Sequence, residues 1–173
     1  MMHWFALKVF YNKVFDIESA LSKDKIETYI PCEETIIIRG GNRKKVRKPI
    51  INSLMFFRSS ITDALRIQQD FTDRVILYTR REEYRRIPLI IPDNEMNTFM
   101  LVTSAGEKGV EYYEDSPKFH QGDRVRVTDG VFKGAVGHIC RIRKNRRLVV
   151  AIEGVCAVAT TYIPHTFLEQ IHD

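Results

Sequence analysis

The chain of 173 residues lacks several features that would place it in a class at once. It has no apolar run long enough to cross a membrane, so no transmembrane helix is predicted. Its first residues also lack the basic stretch and apolar core of a secretion signal. Its three cysteines, Cys32, Cys140 and Cys156, form no CxxC spacing, and their odd number leaves at least one unpaired. We therefore expect a cytoplasmic protein whose thiols pack as small hydrophobic groups.

Signatures of catalysis are missing as well. None of the five histidines has metal-ligand spacing to a cysteine or an acid. The sequence contains no phosphate-binding loop, no nucleophile elbow and no paired-carboxylate motif. We therefore predict no enzymatic activity, no cofactor and no metal.

Positive charge is what the chain has in excess, and it is distributed unevenly. The net charge is +5. Residues 118–173 hold nine Lys/Arg against five Asp/Glu, whereas residues 1–117 hold eighteen against seventeen. The densest cluster has six cations in ten residues and is read as a flexible arm that contacts nucleic-acid phosphates: Arg39, Arg43, Lys44, Lys45, Arg47 and Lys48. A solvated loop is the alternative for this arm.

A second basic cluster lies near the C-terminus, at a predicted hairpin turn. It consists of Arg141, Arg143, Lys144, Arg146 and Arg147. Nucleic-acid binding and simple solubility remain equally open for it.

The first 103 residues alternate between strand and helix patterns. Strands are predicted at residues 3–11 and 50–58, and helices at 17–26, with Asp16 as the N-cap, and from Ser60 to Asp70. Pro92 and Asp93 open a third helix. In the strand at 50–58, Leu54 and Phe56 share one face, and Met55 and Phe57 share the other. One pair must meet the helices, and the other meets a second layer or forms an exposed apolar patch.

Composition changes at residues 104–119, which contain Gly106, Gly109, an acidic run and Pro117. This stretch is predicted to be a linker. Residues 120–173 then show only short strands, which is typical of a small β-barrel. The predicted fold class is therefore α+β: an α/β sandwich with an antiparallel sheet and helices at residues 1–103, linked to a C-terminal β-barrel.

The most informative motif is GDRVRVTDGVFKGAVG at residues 122–137. Two strands flank a glycine-containing turn, and the pattern resembles the KOW motif of an SH3-like barrel. Upstream of it come WFALKV at residues 4–9, IRGGNRKK at 38–45, LMFF at 54–57 and IIPDNEM at 90–96. Together they resemble the NusG family of transcription elongation factors along nearly the whole chain. The similarity is nearest to specialised UpxY-type antiterminators of capsular-polysaccharide operons.

The resemblance implies that residues 1–103 form an NGN domain that binds the clamp helices of the largest RNA polymerase subunit. The implied polymerase-binding residues are Phe5, Leu54, Phe56, Tyr78 and Phe99, with Leu54 and Phe56 as the exposed pair. Asn52-Ser53-Leu54 stands where relatives carry a proline-containing turn before an aromatic residue. This departure affects the detailed clamp contacts.

The resemblance also implies that the KOW domain recruits a small-subunit ribosomal protein or the terminator Rho. Phe132 and Val155 are the candidate partner-binding residues. A second aromatic residue of the motif is replaced by Ala135, which weakens the case for either partner.

The implied function is transcription elongation or antitermination, with suppression of pausing or termination and an operon-specific role of the capsular-polysaccharide type. Upstream or non-template DNA and nascent RNA are the implied nucleic-acid partners, and a monomer without membrane contact is expected. The alternative is a ribosome-associated or general RNA-binding KOW protein. The NGN-like half discriminates between the two, because ribosomal KOW proteins lack it.

Overall fold

A computed structural model of the chain describes residues 1–114 and 122–172. Contacts within the backbone divide it into two compact units, Met1–Ile90 and Ile91–Asp173. Each unit is built around antiparallel strands, and each is described below by itself.

The first unit is built on a four-stranded antiparallel sheet with the order β2-β5-β1-β6. Its strands are β1 (His3–Val9), β2 (Glu27–Tyr29), β5 (Leu54–Ser59) and β6 (Val75–Leu77). The two central strands are rich in aromatic and aliphatic residues, which favour extended backbone. Their register places Phe5 opposite Phe57 and Ala6 opposite Phe56.

Two helices cover one face of this sheet: α1 (Val14–Lys23) and α2 (Ile61–Asp70). Beneath them, Phe5 and Phe57 stack with ring centroids 5.6 Å apart. The predicted start of α2 is confirmed, because the Ser60 hydroxyl accepts a hydrogen bond from the Asp63 backbone N–H at 3.1 Å.

The predicted cap of α1 is wrong. The helix begins at Val14, three residues earlier than expected, with Lys13 at the N-cap position. Asp16 lies in the first turn instead, where its carboxylate is 3.4 Å from the Lys13 ammonium group. An acid in the first turn still interacts favourably with the helix dipole, which explains why it resembled a cap.

The opposite face of the sheet is buried too. It presents Trp4, Ala6, Leu54 and Phe56, and all four side chains are buried. The expectation that Leu54 and Phe56 form an exposed patch is therefore wrong for this structure, since Phe56 is 0% exposed. Strands buried on both faces read as continuous apolar runs, as LMFF does at residues 54–57.

Two separate hairpins complete the first unit. One pairs β3 (Cys32–Arg39) with β4 (Asn42–Pro49), and the other pairs β7 (Thr79–Glu82) with β8 (Arg85–Pro88). The basic segment is therefore part of a regular hairpin and not a flexible arm. Its two-residue turn, Gly40-Gly41, has positive φ at both positions, a geometry that glycine adopts without strain.

The described residues of the second unit form one α-helix and a six-stranded antiparallel sheet. Helix α3 (Asp93–Ser104) begins where Pro92 and Asp93 predicted it. It packs against β12 and β13. The sheet has the order β14-β10-β11-β12-β13-β9. Its strands are β9 (Glu111–Tyr113), β10 (Arg124–Val127), β11 (Val136–Ile142), β12 (Asn145–Ile152), β13 (Cys156–Ala159) and β14 (Leu168–Gln170), and the 3₁₀ turn His165–Phe167 precedes β14.

The stretch predicted as a linker differs from that expectation. Within residues 104–119, Glu111–Tyr113 form β9, which pairs with β13 at the edge of the sheet. Residues 115–119 of this stretch lie outside the described residues. Helix α3, placed by sequence in the N-terminal domain, is grouped by contacts with the second unit. The domain boundaries at 103 and 120 therefore remain predictions.

The predicted fold class is confirmed: over residues 1–114 and 122–172, three α-helices accompany antiparallel sheets, and the C-terminal part is a β domain. Cys140 and Cys156 are buried and unpaired, and burial raises the pKa of the Cys156 thiol to about 12. Among the described residues, no helix is long and apolar enough to span a bilayer.

The buried position of Phe56 gives a direct stability prediction. Phe56→Ala should lower the free energy of unfolding of the first unit by about 3–5 kcal/mol, because it removes a large side chain from a packed interior. Urea unfolding monitored through Trp4, the single tryptophan, measures this loss. The matched variant Ile38→Ala, at an exposed position, should change the unfolding free energy by less than about 0.5 kcal/mol. Equal losses in the two variants would contradict the burial assignment.

Candidate functional site

The predicted polymerase-binding residues do not form one surface in this structure. Phe5 faces α1 and α2 in the core cluster, whereas Leu54 and Phe56 lie on the other face of the sheet. Phe99 belongs to the second unit and is buried, and Tyr78 is partly buried. The sequence located these residues in apolar elements correctly, but alternation alone did not reveal that both faces are covered.

The exposed apolar residues of the first unit are different ones. On β3, Ile36 is 62% exposed and Ile38 is 69% exposed. Helix α2 also exposes Ile61 and Leu65. Sequence analysis singled out the cations of this segment and not the two β3 isoleucines, because a short apolar run such as residues 36–38 is typical of a buried strand. The many lysines and arginines of the next segment, β4, were the available sign that the paired β3 strand is exposed.

The β3–β4 register creates a mixed apolar and cationic face. Ile36 is opposite Lys45 and Ile38 is opposite Arg43, and directly opposed residues share one face of an antiparallel pair. Lys45 also lies 3.4 Å from Glu34, in an ion pair that is mostly exposed. Such a pair contributes about 1 kcal/mol or less, so it leaves Lys45 able to exchange partners.

Arg47 has a different role from the one predicted. Its guanidinium donates to both Glu18 carboxylate oxygens, at 3.4 and 3.2 Å, and lies 5.0 Å from the Phe15 ring centroid. The hydrogen bond to Glu18 is the main reason that the pKa of Arg47 is raised. Arg47 therefore holds the base of the hairpin on α1 and is not a free phosphate ligand.

The remaining predicted cations are available on the hairpin surface. Arg39, Arg43, Lys44 and Lys48 are exposed, and none of them forms an ion pair with another described residue. The structure thus keeps a basic surface but fixes it on a strand, with Arg47 as its anchor. We call Ile36, Ile38, Arg43 and Lys45 on the mixed apolar and cationic face, together with Lys44 on the other face of β4, the basic hairpin surface.

The predicted partner-binding residues of the C-terminal domain are also buried. Phe132 is 4% exposed and Val155 is 2% exposed, so both are part of the interior. Neither side chain offers an exposed contact in this structure, and their partner-binding role remains a prediction. The exposed apolar residues there are Val131, beside Phe132, and Tyr162. The exposed side chain at this turn is therefore Val131 and not the neighbouring Phe132.

The second basic cluster is partly neutralised within the domain. Glu111 on β9 lies 3.4 Å from Arg143 and 3.0 Å from Arg147, and it accepts a 2.7 Å hydrogen bond from the Tyr113 hydroxyl. That hydrogen bond, followed by the arginines, lowers the pKa of Glu111. The acidic run predicted as linker therefore supplies the counterion for this cluster.

A polar groove of about 810 Å³ lies within the second unit, between α3 and the sheet. Glu95 from α3 and Glu153 both line it. Burial, and secondly the Glu153 charge, raise the pKa of Glu95. The described residues contain no cluster of histidine, cysteine and acidic side chains suited to a metal ion.

The raised pKa of Glu95 predicts a pH-dependent effect. Glu95→Gln should stabilise the second unit at neutral pH by up to about 1 kcal/mol, because a folded-state carboxyl with a raised pKa penalises folding once it ionises. Below the unfolded-state pKa, near about pH 4, both states are protonated and the advantage should vanish.

Denaturant unfolding followed through the amide signals of β12 measures this effect at both pH values. Glu107→Gln, which removes an exposed acid just beyond α3, is the matched control. A constant difference at both pH values would exclude the ionisation of Glu95 as its cause.

Comparison with known proteins points to one family. A family model described as "Transcription termination factor nusG" matches residues 2–100 of the chain, which is more than half of its length. This match includes all strands of the first unit and most of α3. No curated protein matches the chain.

One solved structure aligns with nearly the whole chain. It is described as "Domain interaction in Thermotoga maritima NusG", with 17% sequence identity and a TM-score of 0.45. The alignment covers 99% of this chain and 98% of that chain.

Proposed function

Because the chain belongs to the NusG family, whose members are transcription factors and not enzymes, we propose that it is an elongation and antitermination factor. In this proposal the first unit binds RNA polymerase at the clamp helices of the largest subunit and suppresses pausing or termination. The match over residues 2–100 is the observation that carries the proposal. It also favours this function over a ribosome-associated KOW protein, which would lack that half of the chain.

The polymerase contact is assigned to the first unit as a whole. Phe5 packs beneath α1 and α2, which supports a role in the fold of the unit more than a direct contact with the polymerase. Leu54 and Phe56 lie on the other face of the sheet, so they would contribute only where that face is accessible. Tyr78, which is partly buried, retains some accessible surface.

The basic hairpin surface is proposed to contact the upstream or non-template DNA, or the nascent RNA, on the polymerase. Arg43 and Lys44 are exposed and form no ion pair with a described residue, so their charge is free to contact phosphates. Lys45 would first have to exchange Glu34 for a phosphate. Ile36 and Ile38 add apolar area beside them, which suits a contact that is more than electrostatic.

The C-terminal domain is proposed to recruit a further factor, either Rho or a small-subunit ribosomal protein. Exposed Val131 supports a contact surface near the turn that the KOW motif predicted. The UpxY-type specialisation, with a restricted set of target operons, is part of the same proposal and rests on the sequence motifs.

Co-purification tests the polymerase contact. The tagged full chain should retain RNA polymerase after nuclease treatment, because the proposed clamp contact is between proteins. In a transcription assay the chain should also shorten pauses on a template that carries a candidate operon leader. Loss of polymerase on nuclease treatment would instead favour the RNA-binding alternative.

The basic hairpin surface has its own test in the same assay. Arg43→Gln combined with Lys44→Gln should leave polymerase co-purification unchanged and weaken pause suppression. In a nucleic-acid binding titration, each lost phosphate contact should reduce the slope of log affinity against log salt concentration by about 0.7–0.9. The double variant should therefore reduce this slope by about 1.4–1.8. Unchanged pausing and an unchanged slope would leave the hairpin without a nucleic-acid role.

The matched control removes two cations that are already ion-paired elsewhere in the first unit. Lys13→Gln with Arg66→Gln has the same change in net charge, but Lys13 pairs with Asp16 and Arg66 with Asp63. A slope reduced equally by the control would show that net charge, and not the hairpin, sets the salt dependence.

A further inference from the structure

The second hairpin of the first unit, β7–β8, presents an aromatic residue at its tip. The two strands are joined by Glu83 and Tyr84, and the Tyr84 side chain is 98% exposed. Glu83 carries a φ of 51°, in a region that non-glycine residues seldom adopt. The ring of Tyr84 therefore projects from a tight turn and packs on almost nothing.

Backbone hydrogen bonds fix the base of this hairpin to the four-stranded sheet. The backbone N–H of Tyr78 donates to the Ala6 carbonyl on β1 at 3.0 Å, and the N–H of Leu89 donates to the Tyr78 carbonyl at 3.0 Å. Helix α2 also packs near β8.

Two arginines face each other one residue pair below the tip, after the pair of Glu82 and Arg85 that closes the turn. Arg81 is opposite Arg86 in the register, so both side chains leave the same face of the hairpin. Like charges directly opposite each other destabilise an antiparallel pair. Arg86 donates to the Thr79 hydroxyl at 3.5 Å and Arg81 to the Glu83 carbonyl at 3.4 Å, but neither forms an ion pair with a described acid.

The acids of the hairpin do not serve this arginine pair. Glu82 lies on the opposite face, where it pairs with Arg80 at 3.5 Å. Four arginines against two glutamates leave the hairpin cationic. Acids set among arginines are typical of a salt-bridged surface stretch, but Arg81 and Arg86 form no ion pair with a described residue.

We propose that the β7–β8 hairpin is a binding site for single-stranded nucleic acid, separate from the basic hairpin surface. In this site Tyr84 stacks on an unpaired base, and the Arg81–Arg86 pair holds the adjoining phosphate. The site does not rest on the proposed role in elongation, because it is argued from the hairpin alone.

Charge and shape together select this partner. A phosphate between the two arginines would relieve their repulsion, and guanidinium groups match phosphate oxygens well. A planar ring beside such a cationic pair is the combination by which proteins bind single strands without sequence preference. A duplex keeps its bases stacked inside, so it offers the arginines a phosphate but offers Tyr84 no base.

Fluorescence anisotropy with the full chain tests the site. The probes are labelled homopolymers of thymidine (DNA) and uridine (RNA), each about ten nucleotides long. Tyr84→Ala should weaken binding about tenfold, whereas Tyr84→Phe should retain wild-type affinity because stacking needs only the ring. DNA and RNA should bind within about threefold of each other, because neither the ring nor the arginine pair reads the 2′-hydroxyl.

The arginine pair has a separate readout. Arg81→Gln with Arg86→Gln should reduce the salt slope for single strands by about 1.4, which corresponds to two lost phosphate contacts. Tyr11→Ala, at another exposed tyrosine of the same unit, and Arg66→Gln, at an ion-paired arginine, are the matched controls and should leave affinity unchanged.

Three measurements separate the site from its alternatives. The Tyr84→Ala effect should persist when Arg43→Gln and Lys44→Gln are already present, and its disappearance there would assign binding to the first hairpin. Polyglutamate should compete poorly, because it has charge but no bases. Equal binding of wild type and Tyr84→Ala, equal binding of duplex and single strand, or efficient competition by polyglutamate would each overturn the proposal.

Discussion

The pairing of β1 with β5 is the constraint on which the first unit depends. Both strands are buried on both faces, so every residue from Trp4 to Leu7 and from Leu54 to Phe57 is part of an interior. A shift of one residue in this register would exchange the Phe5–Phe57 layer with the Ala6–Phe56 layer and leave large rings opposite the wrong packing partners. The apolar segments by which the family resemblance was recognised, WFALKV and LMFF, lie in these two central strands.

Sequence predicted the elements better than it predicted their exposure. The Ser60 cap, the start of α3 and the α+β fold class follow from local rules, and the structure confirms them. The exposed pair at Leu54 and Phe56 was wrong because alternation assigns faces but does not say which face is covered. The prediction of a flexible arm for the basic segment was wrong. Its many charges are atypical of a strand, and its extended structure follows from pairing with β3.

The candidate sites also show that sequence predicts which residues are present but not which of them are already paired. Composition found the cations of the basic hairpin, but it could not separate Arg47, which Glu18 and Phe15 retain on α1, from its free neighbours. Likewise, the arginines at 80, 81, 85 and 86 look alike in sequence. Only the register separates Arg80, beside Glu82, from the opposed pair at 81 and 86. The charges that these hairpins can offer to a partner are those that the fold has not already neutralised.

The short strand β9 affects how the chain can be divided. A fragment beginning at residue 120 would lose β9, one of the two strands that pair with β13, together with the carboxylate that neutralises Arg143 and Arg147. It would also expose an apolar strand edge, Cys156–Ala159, of the kind that pairs with other chains. Self-association of such a fragment would then reflect the cut itself, and a cut placed before residue 111 would preserve the sheet.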